Sequence, residues 1–373
     1  MEKLNQIVKK ITRLNVEFME VARARLDNLT KPLGSLGRLE ELAMQIVGIT
    51  GKQNPELKNK VIFTLAADHG VTEEKVSAYP KEVTAQMVYN FLNGGAGINV
   101  LARHVGARVV VADLGVASDL KPDPRLIIKK INYGTKNMAE GQAMTRDEAL
   151  RSIEAGIEIF EEEFSRGSGI PPEAGKKGVD IVGIGEMGIG NTTAASAITA
   201  SFTNMPPAQL TGRGTGLSDK ALENKIRVIE KALAVNKPDT KDPIDVLAKV
   251  GGFEIGGLTG VILAACARKV PVVIDGFISG AAALIAYCLE PKTKEYMIAA
   301  HASVESGHVF ALNHIGLKPI FDLELRLGEG TGAALAMGVI EASLKIMTEM
   351  ATFKDAQVSE RTTEPPINNG HIG

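Results

Sequence analysis

The spacing of apolar positions divides the chain into alternating helical and extended segments. Leu4, Ile7, Val8, Ile11, Leu14, Phe18, Val21 and Leu26 recur at mostly three- and four-residue steps and predict helix across residues 2–27. Thr30-Lys31-Pro32-Leu33-Gly34 breaks that period, and a second helix is predicted from Arg38 to Val47. Five apolar runs then read as strands: Val61–Ala67, Arg108–Asp113, Val179–Gly183, Val270–Asp275 and Tyr296–Ala300, with Leu126–Ile131 as a further candidate. Such near-continuous runs suit strands buried on both faces of a parallel sheet. Between them lie helical patterns at 82–92, 98–104, 145–166, 217–233, 244–250, 255–267 and 281–289, and an Ala-rich helix after Thr193. A last helix is predicted from Thr331 to about Thr352.

This alternation predicts an α/β fold, a doubly wound and mostly parallel Rossmann-like sheet. The expected division is a large α/β domain over 36–332, a small helical domain from 1–35 plus 333–353, and a disordered tail over 354–373. Residues 167–176 (GSGIPPEAGK) are expected to form a loop or mobile insertion. Ligands of doubly wound sheets sit beyond the carboxyl ends of the strands, where most polar motifs of this chain fall.

Composition narrows the function classes. A formal net charge of −2 gives no general attraction to nucleic acid or anionic membrane, and 4% aromatics without Trp argue against base-stacking platforms. The N-terminal stretch MEKLNQIVKKITRLN lacks the apolar core of a signal peptide, and no apolar run approaches membrane-spanning length, so a cytoplasmic protein is expected. Cys266 and Cys288 sit in Ala-rich helical contexts and read as free thiols.

The 39 glycines cluster in motifs. Leu325-Arg326-Leu327-Gly328-Glu329-Gly330-Thr331-Gly332 puts a carboxylate among glycines at a helix start, where backbone approaches ligands closely and N–H groups are free. Gly183-x-Gly185-x-x-Gly188 matches a dinucleotide fingerprint, but no acidic residue follows at the ribose-binding distance. Gly185-x-x-x-x-Gly190-Asn191-Thr192 nearly matches a P-loop, with Asn where the phosphate-binding Lys belongs. A Gly-rich turn carrying Glu186 is what remains. Gly212-Arg213-Gly214-Thr215-Gly216, with Lys225 in the next helix, suits a phosphate site. His301 with Glu305, and Asp68 with His69, lack the further partners that a metal site or a nucleophilic triad needs.

Taken together, these blocks resemble the nicotinate-nucleotide:dimethylbenzimidazole phosphoribosyltransferases. The resemblance rests on KPLGSLGRLE at 31–40, AADHGV at 66–71, PKEVTAQM at 80–87 and GIGEMGIGNTTAA at 183–195. It continues through DPIDVLAKVGGFEIGGLTG at 242–260, DGFISGAAAL at 275–284, HASVESGH at 301–308 and LRLGEGTGAALAM at 325–337. It implies a Rossmann-like sheet with a small helical domain, a homodimer, and neither metal nor cofactor. It implies transfer of phosphoribose from nicotinate mononucleotide to a benzimidazole in cobalamin nucleotide-loop assembly. Glu329 then falls at the general base and Glu186 at a second acidic position. Tyr79, Gln86, Met87, Met187, Phe277 and Leu327 fall around the aromatic base. Gly188, Gly214, Lys225 and Ser303 fall at the phosphate, and Arg326 at the nicotinate carboxylate. Tyr79 and Met87 stand where a family member carries Ser and Gln, which bears on the base accepted. The contrasting expectation, a non-catalytic nucleotide-binding or sensor protein, has no need of two site carboxylates; an NAD-linked dehydrogenase would need the rejected Gly fingerprint.

Overall fold

A computed structural model describes residues 1–166 and 178–359. The expectations for residues 167–176, and for the tail beyond 359, fall outside the described residues. The strands are β1 (Lys60–Ala67), β2 (Ala107–Gly115), β3 (Leu126–Ile128), β4 (Ile181–Met187), β5 (Val272–Ile274) and β6 (Met297–Ala299). They form one sheet in the order β3-β2-β1-β4-β5-β6, with every pairing parallel. The order runs outward from β1 in one direction through β3 and then from β4 in the other. The switch point therefore lies between β1 and β4, where adjacent connections diverge and leave a crevice.

Each face of the sheet is sealed by its own apolar cluster. On one face lie Ile153, Ile157 and Phe160 of helix Arg146–Arg166, with helix Phe253–Ala267, buried as far as Cys266, and helix Phe277–Leu289. The close crossing of the first two explains glycine at 156 and 260: a Cβ at Gly156 would lie 1.8 Å from the Gly257 carbonyl oxygen, and one at Gly260 would lie 2.0 Å from that of Ile153. On the other face lie helices Arg38–Thr50, Gly97–Val105 and Thr331–Glu349, meeting through Leu42, Ile46, Ile98, Ala333, Met337 and Ile340.

Three local expectations are corrected. The N-terminal helix is two, Glu2–Val8 and Val16–Asp27, because Asn15 turns extended and caps the second by accepting from Phe18 N–H at 3.2 Å. The strand expected at Val179–Gly183 begins later and runs through Met187, so Gly183 and Gly185 are strand residues and Glu186 projects from the strand itself. The beginning of the expected disordered tail is ordered: Phe353–Ala356 forms a helical turn, with Thr352 accepting from Asp355 N–H at 3.1 Å and pairing as a bridge with Leu29. Helix Thr331–Glu349, expected to belong mainly to a terminal helical unit, covers β1, β4 and β5 with its first half and reaches helix Val16–Asp27 beyond them. Helix Gly307–Ile315 has no counterpart among the periodic segments of the sequence.

Candidate active site

A cavity of about 680 Å³ opens at the carboxyl ends of β1, β4, β5 and β6. Its floor is a turn that the sequence makes inevitable only through glycine. Gly328, Glu329 and Gly330 all have positive φ (+79°, +63° and +97°), so Glu329 stands between two glycines in a conformation that side chains rarely adopt. A strained non-glycine residue persists only where its surroundings fix it. Here three elements do so. Thr64 Oγ1 of β1 donates to the Glu329 carbonyl at 3.0 Å, and Ile98 N–H donates to its Oε2 at 3.1 Å. Asp275, just past β5, accepts from the N–H groups of Gly330, Gly332 and Ala333 at 3.2, 2.6 and 3.1 Å. Gly185 of β4 lies directly beneath: a Cβ there would sit 2.2 Å from the Glu329 carbonyl carbon.

Glu186 enters from β4 beside the same turn, buried and hydrogen-bonded by the Asn191 amide. A Cβ at Gly328 would come within 2.5 Å of its Oε1. Burial pushes the Glu186 carboxyl up to about 8, and the charges of Glu254, Asp275 and Glu329 add to the shift. It is therefore largely protonated at neutral pH. Glu329 is also raised, by burial and by Asp275, while the Ile98 N–H opposes. Two carboxyl groups in one cavity with different environments is the arrangement that lets one remain an acid while the other serves as a base.

The structure gathers most of the residues the sequence singled out. Tyr79, Met87, Met187, Phe277 and Leu327 line the cavity, as do Gly188, Gly214, Ser303, Arg326, Glu186 and Glu329. Tyr79, Arg326 and Leu327 are exposed at its mouth, and Phe277 is buried within the wall. Two residues stand apart. Gln86 is solvent-exposed on helix Val83–Leu92 and does not reach the cavity that its neighbour Met87 lines. Lys225 lies fully buried behind the wall, its Nζ donating to Thr192 Oγ1 at 2.7 Å and to the Gly212 carbonyl at 3.4 Å. Burial lowers its ammonium to about 8, with the Glu305 charge opposing. Thr192, which does line the cavity, carries its influence inward.

Other wall residues carried weaker signals in the chain. Asn191 and Thr192 sat in the near P-loop. Glu305 accepts from Gly214 N–H at 2.8 Å and leaves its buried Oε2 without a protein partner. His301, near Asp275 (Nε2–Oδ1 3.9 Å), stacks on Phe321. Behind Gly188, His69 Nε2 meets Glu254 Oε1 at 2.5 Å, both side chains buried. Asp275 itself carried the same signal as Asp68, a polar residue closing an apolar strand, and its partners lie more than fifty residues downstream.

Fold and site together define a doubly wound α/β protein whose switch-point crevice holds carboxyl groups and glycine-lined backbone, with a lysine buried behind its wall, the features of a group-transfer site for a small nucleotide. A family model described as "Phosphoribosyltransferase" matches residues 11–358. The nicotinate-nucleotide–dimethylbenzimidazole phosphoribosyltransferase of Geobacter sulfurreducens is 57% identical over 96% of this chain and 98% of its own. The enzyme of the same name from Desulforudis audaxviator is 56% identical over 96% and 99%. Among solved structures, CobT from Thermus thermophilus superposes with a TM-score of 0.86 at 42% identity, covering 92% of this chain and all of that one. The chain belongs to the nicotinate-nucleotide–dimethylbenzimidazole phosphoribosyltransferase family.

Proposed function

We propose that the chain transfers the phosphoribosyl group of nicotinate mononucleotide to 5,6-dimethylbenzimidazole or a related aromatic base. The products are α-ribazole 5′-phosphate and nicotinate, and the reaction serves assembly of the cobalamin nucleotide loop. The observation that carries the mechanism is Glu329, a carboxylate held in a left-handed turn at the cavity floor. One benzimidazole nitrogen attacks C1′ as the C1′–pyridinium bond breaks, and the bonding electrons neutralise the departing nicotinate ring. The other ring nitrogen gives up its proton to Glu329, whose raised pKa makes it a better acceptor than a solvated carboxylate. Its charge also stabilises the cationic sugar carbon as the bond breaks. Glu186, raised by burial, releases its proton to solvent and becomes a second anion as the cationic pyridinium arrives, since a nearby positive charge favours its ionised form.

Met87, Met187, Phe277 and Leu327 supply an apolar wall for a flat base, with Tyr79 at the entrance; exposed Gln86 is a poor candidate for that contact. The side with Gly188, Gly214, Thr192 and Ser303 suits the phosphate, and Lys225 acts there through Thr192. Arg326 suits the nicotinate carboxylate. The protein is read as a cytoplasmic homodimer.

Incubation with nicotinate mononucleotide and dimethylbenzimidazole should yield α-ribazole phosphate by mass. Absence of product across a set of benzimidazoles and related bases sinks the assignment. Glu329→Ala should lower kcat by roughly a hundredfold or more without altering the circular dichroism spectrum, since a positioned base contributes about 10²–10⁴-fold. Undiminished turnover in that variant removes Glu329 as the base.

A further inference from the structure

We propose that Asp275 is a positioning residue for the reaction: it clamps the turn that presents Glu329, acting from a different strand and without contact to the reacting atoms. The inference rests on the reading of Glu329 as the base. Asp275 is 1% exposed and does not line the cavity. Its two oxygens divide the work. Oδ2 takes the N–H of Gly330, the residue directly after Glu329, at 3.2 Å. Oδ1 takes those of Gly332 and Ala333, at 2.6 and 3.1 Å, in the first turn of helix Thr331–Glu349.

That helix has no capping side chain of its own, because position 330 is glycine. The cap is supplied instead from the end of β5, fifty-odd residues earlier in the chain. A carboxylate at this place satisfies free N–H groups and complements the positive end of the helix. The same bonds hold Gly330 at φ +97°, and with it the left-handed Glu329. Without the clamp, the turn would be free to relax toward the ordinary region and carry the carboxylate away from the cavity floor. Burial raises Asp275 to about 6; His301 opposes first, and the three backbone N–H groups after it. His301 Nε2 lies 3.9 Å from Oδ1 and closes the other side of the carboxylate. No room exists for a bulkier arrangement, since a Cβ at Gly332 would meet His301 Cδ2 at 2.2 Å and Asp275 Oδ1 at 2.8 Å.

Asp275 has a second effect that a purely structural cap would lack. Its charge is one of the causes that raise Glu329. Among the described residues, Asp275 just past β5, Glu186 of β4, Glu254 at the start of helix Phe253–Ala267 and His301 just past β6 are the titratable groups whose charges act on Glu329 or on one another around this turn. Removing the Asp275 charge should therefore let Glu329 ionise at lower pH.

The test compares Asp275→Asn, Asp275→Ala and Glu329→Gln in the full-length protein. Each is measured for kcat and for KM toward nicotinate mononucleotide across pH 5–9. For Asp275→Ala, kcat should fall on the order of a hundredfold, the scale of a displaced catalytic group, with KM within about threefold of the parent. Asp275→Asn keeps one acceptor for the helix N–H groups but loses the charge. It should retain more activity than the alanine variant, with the acidic limb of its pH–rate profile moved to lower pH. Where the alanine variant does not fold, the asparagine variant decides. An unshifted limb, or kcat within twofold of the parent while Glu329→Gln is inactive, overturns the positioning role. Full activity in Glu329→Gln would overturn instead the base assignment beneath it.

Discussion

Glu329 occupies a conformation in which its backbone alone is disfavoured, and the residues around it are chosen for that fact. Gly185 is the sharpest example. It lies in a strand, where glycine weakens pairing and needs a reason. The reason is the Glu329–Gly330 peptide pressed against its Cα, closer than any side chain allows. Gly185→Ala places a methyl group 2.2 Å from backbone that three elements hold fixed. Overpacking of this kind costs about 1–3 kcal/mol, so the urea midpoint should drop accordingly. Activity should drop much further, because the turn must shift. A variant that loses stability yet keeps full kcat would mean that the turn's position does not govern catalysis. In the sequence this glycine looks like part of a dinucleotide fingerprint. What it packs against lies more than 140 residues away, and spacing within one motif carries no trace of that.

At the scale of elements, the apolar runs announce the strands and the 3.6-residue period most helices, because both are local consequences of burying one face or two. What they do not announce are ends and partners. β4 runs four residues past Gly183, where Gly185 lies flat against the Glu329–Gly330 backbone and Gly183 against the Ala333 and Met337 side chains, a tertiary reason invisible to propensity. The break at Asn15 is a capping decision that the unbroken apolar period of residues 2–27 conceals. The site is legible as strand-end motifs; its pairings are not. His69, after β1, and Glu254, opening helix Phe253–Ala267, read separately as polar residues, and only the fold makes them a buried pair. Burial alone would push the His69 ring down, but the charge and hydrogen bond of Glu254, with the charge of Asp68, overcome it and hold it above the ordinary 6.5. The charged pair therefore contributes fully below about pH 6.5, the unfolded value, and its contribution fades as pH rises through the higher folded value. Glu254→Ala should cost about 3–5 kcal/mol at pH 6, the range for breaking a buried pair. Urea unfolding at pH 9 should show a smaller difference from the parent. A difference that widens with pH would contradict a charged His69.

The whole molecule places its cavity where β1 and β4 diverge, and the mouth of that cavity is unusually apolar for a surface in water. Leu327 and Tyr79 line it and are more than half exposed, at 59% and 56%; exposed Leu323 and Val304 are chain neighbours of the lining residues Glu324 and Ser303. Scattered exposed apolar residues are ordinary, but several gathered at one opening mark a surface meant to be covered. A flat aromatic base covers Leu327 and Tyr79 on the inner side. Leu323 lies beyond the cavity lining, and under the proposed homodimer a second copy of the chain would close over it. Such a lid would exclude water while an oxocarbenium-like sugar is exposed, which matters for a reaction in which water competes with the aromatic nucleophile. Light scattering at micromolar concentration should then give twice the chain mass. Leu323→Asp should lower that mass toward one chain, raise the KM for the aromatic base, and increase the share of nicotinate released by hydrolysis rather than transfer. A parent protein that scatters as one chain while transferring phosphoribose without hydrolysis would show that each chain shields its own cavity.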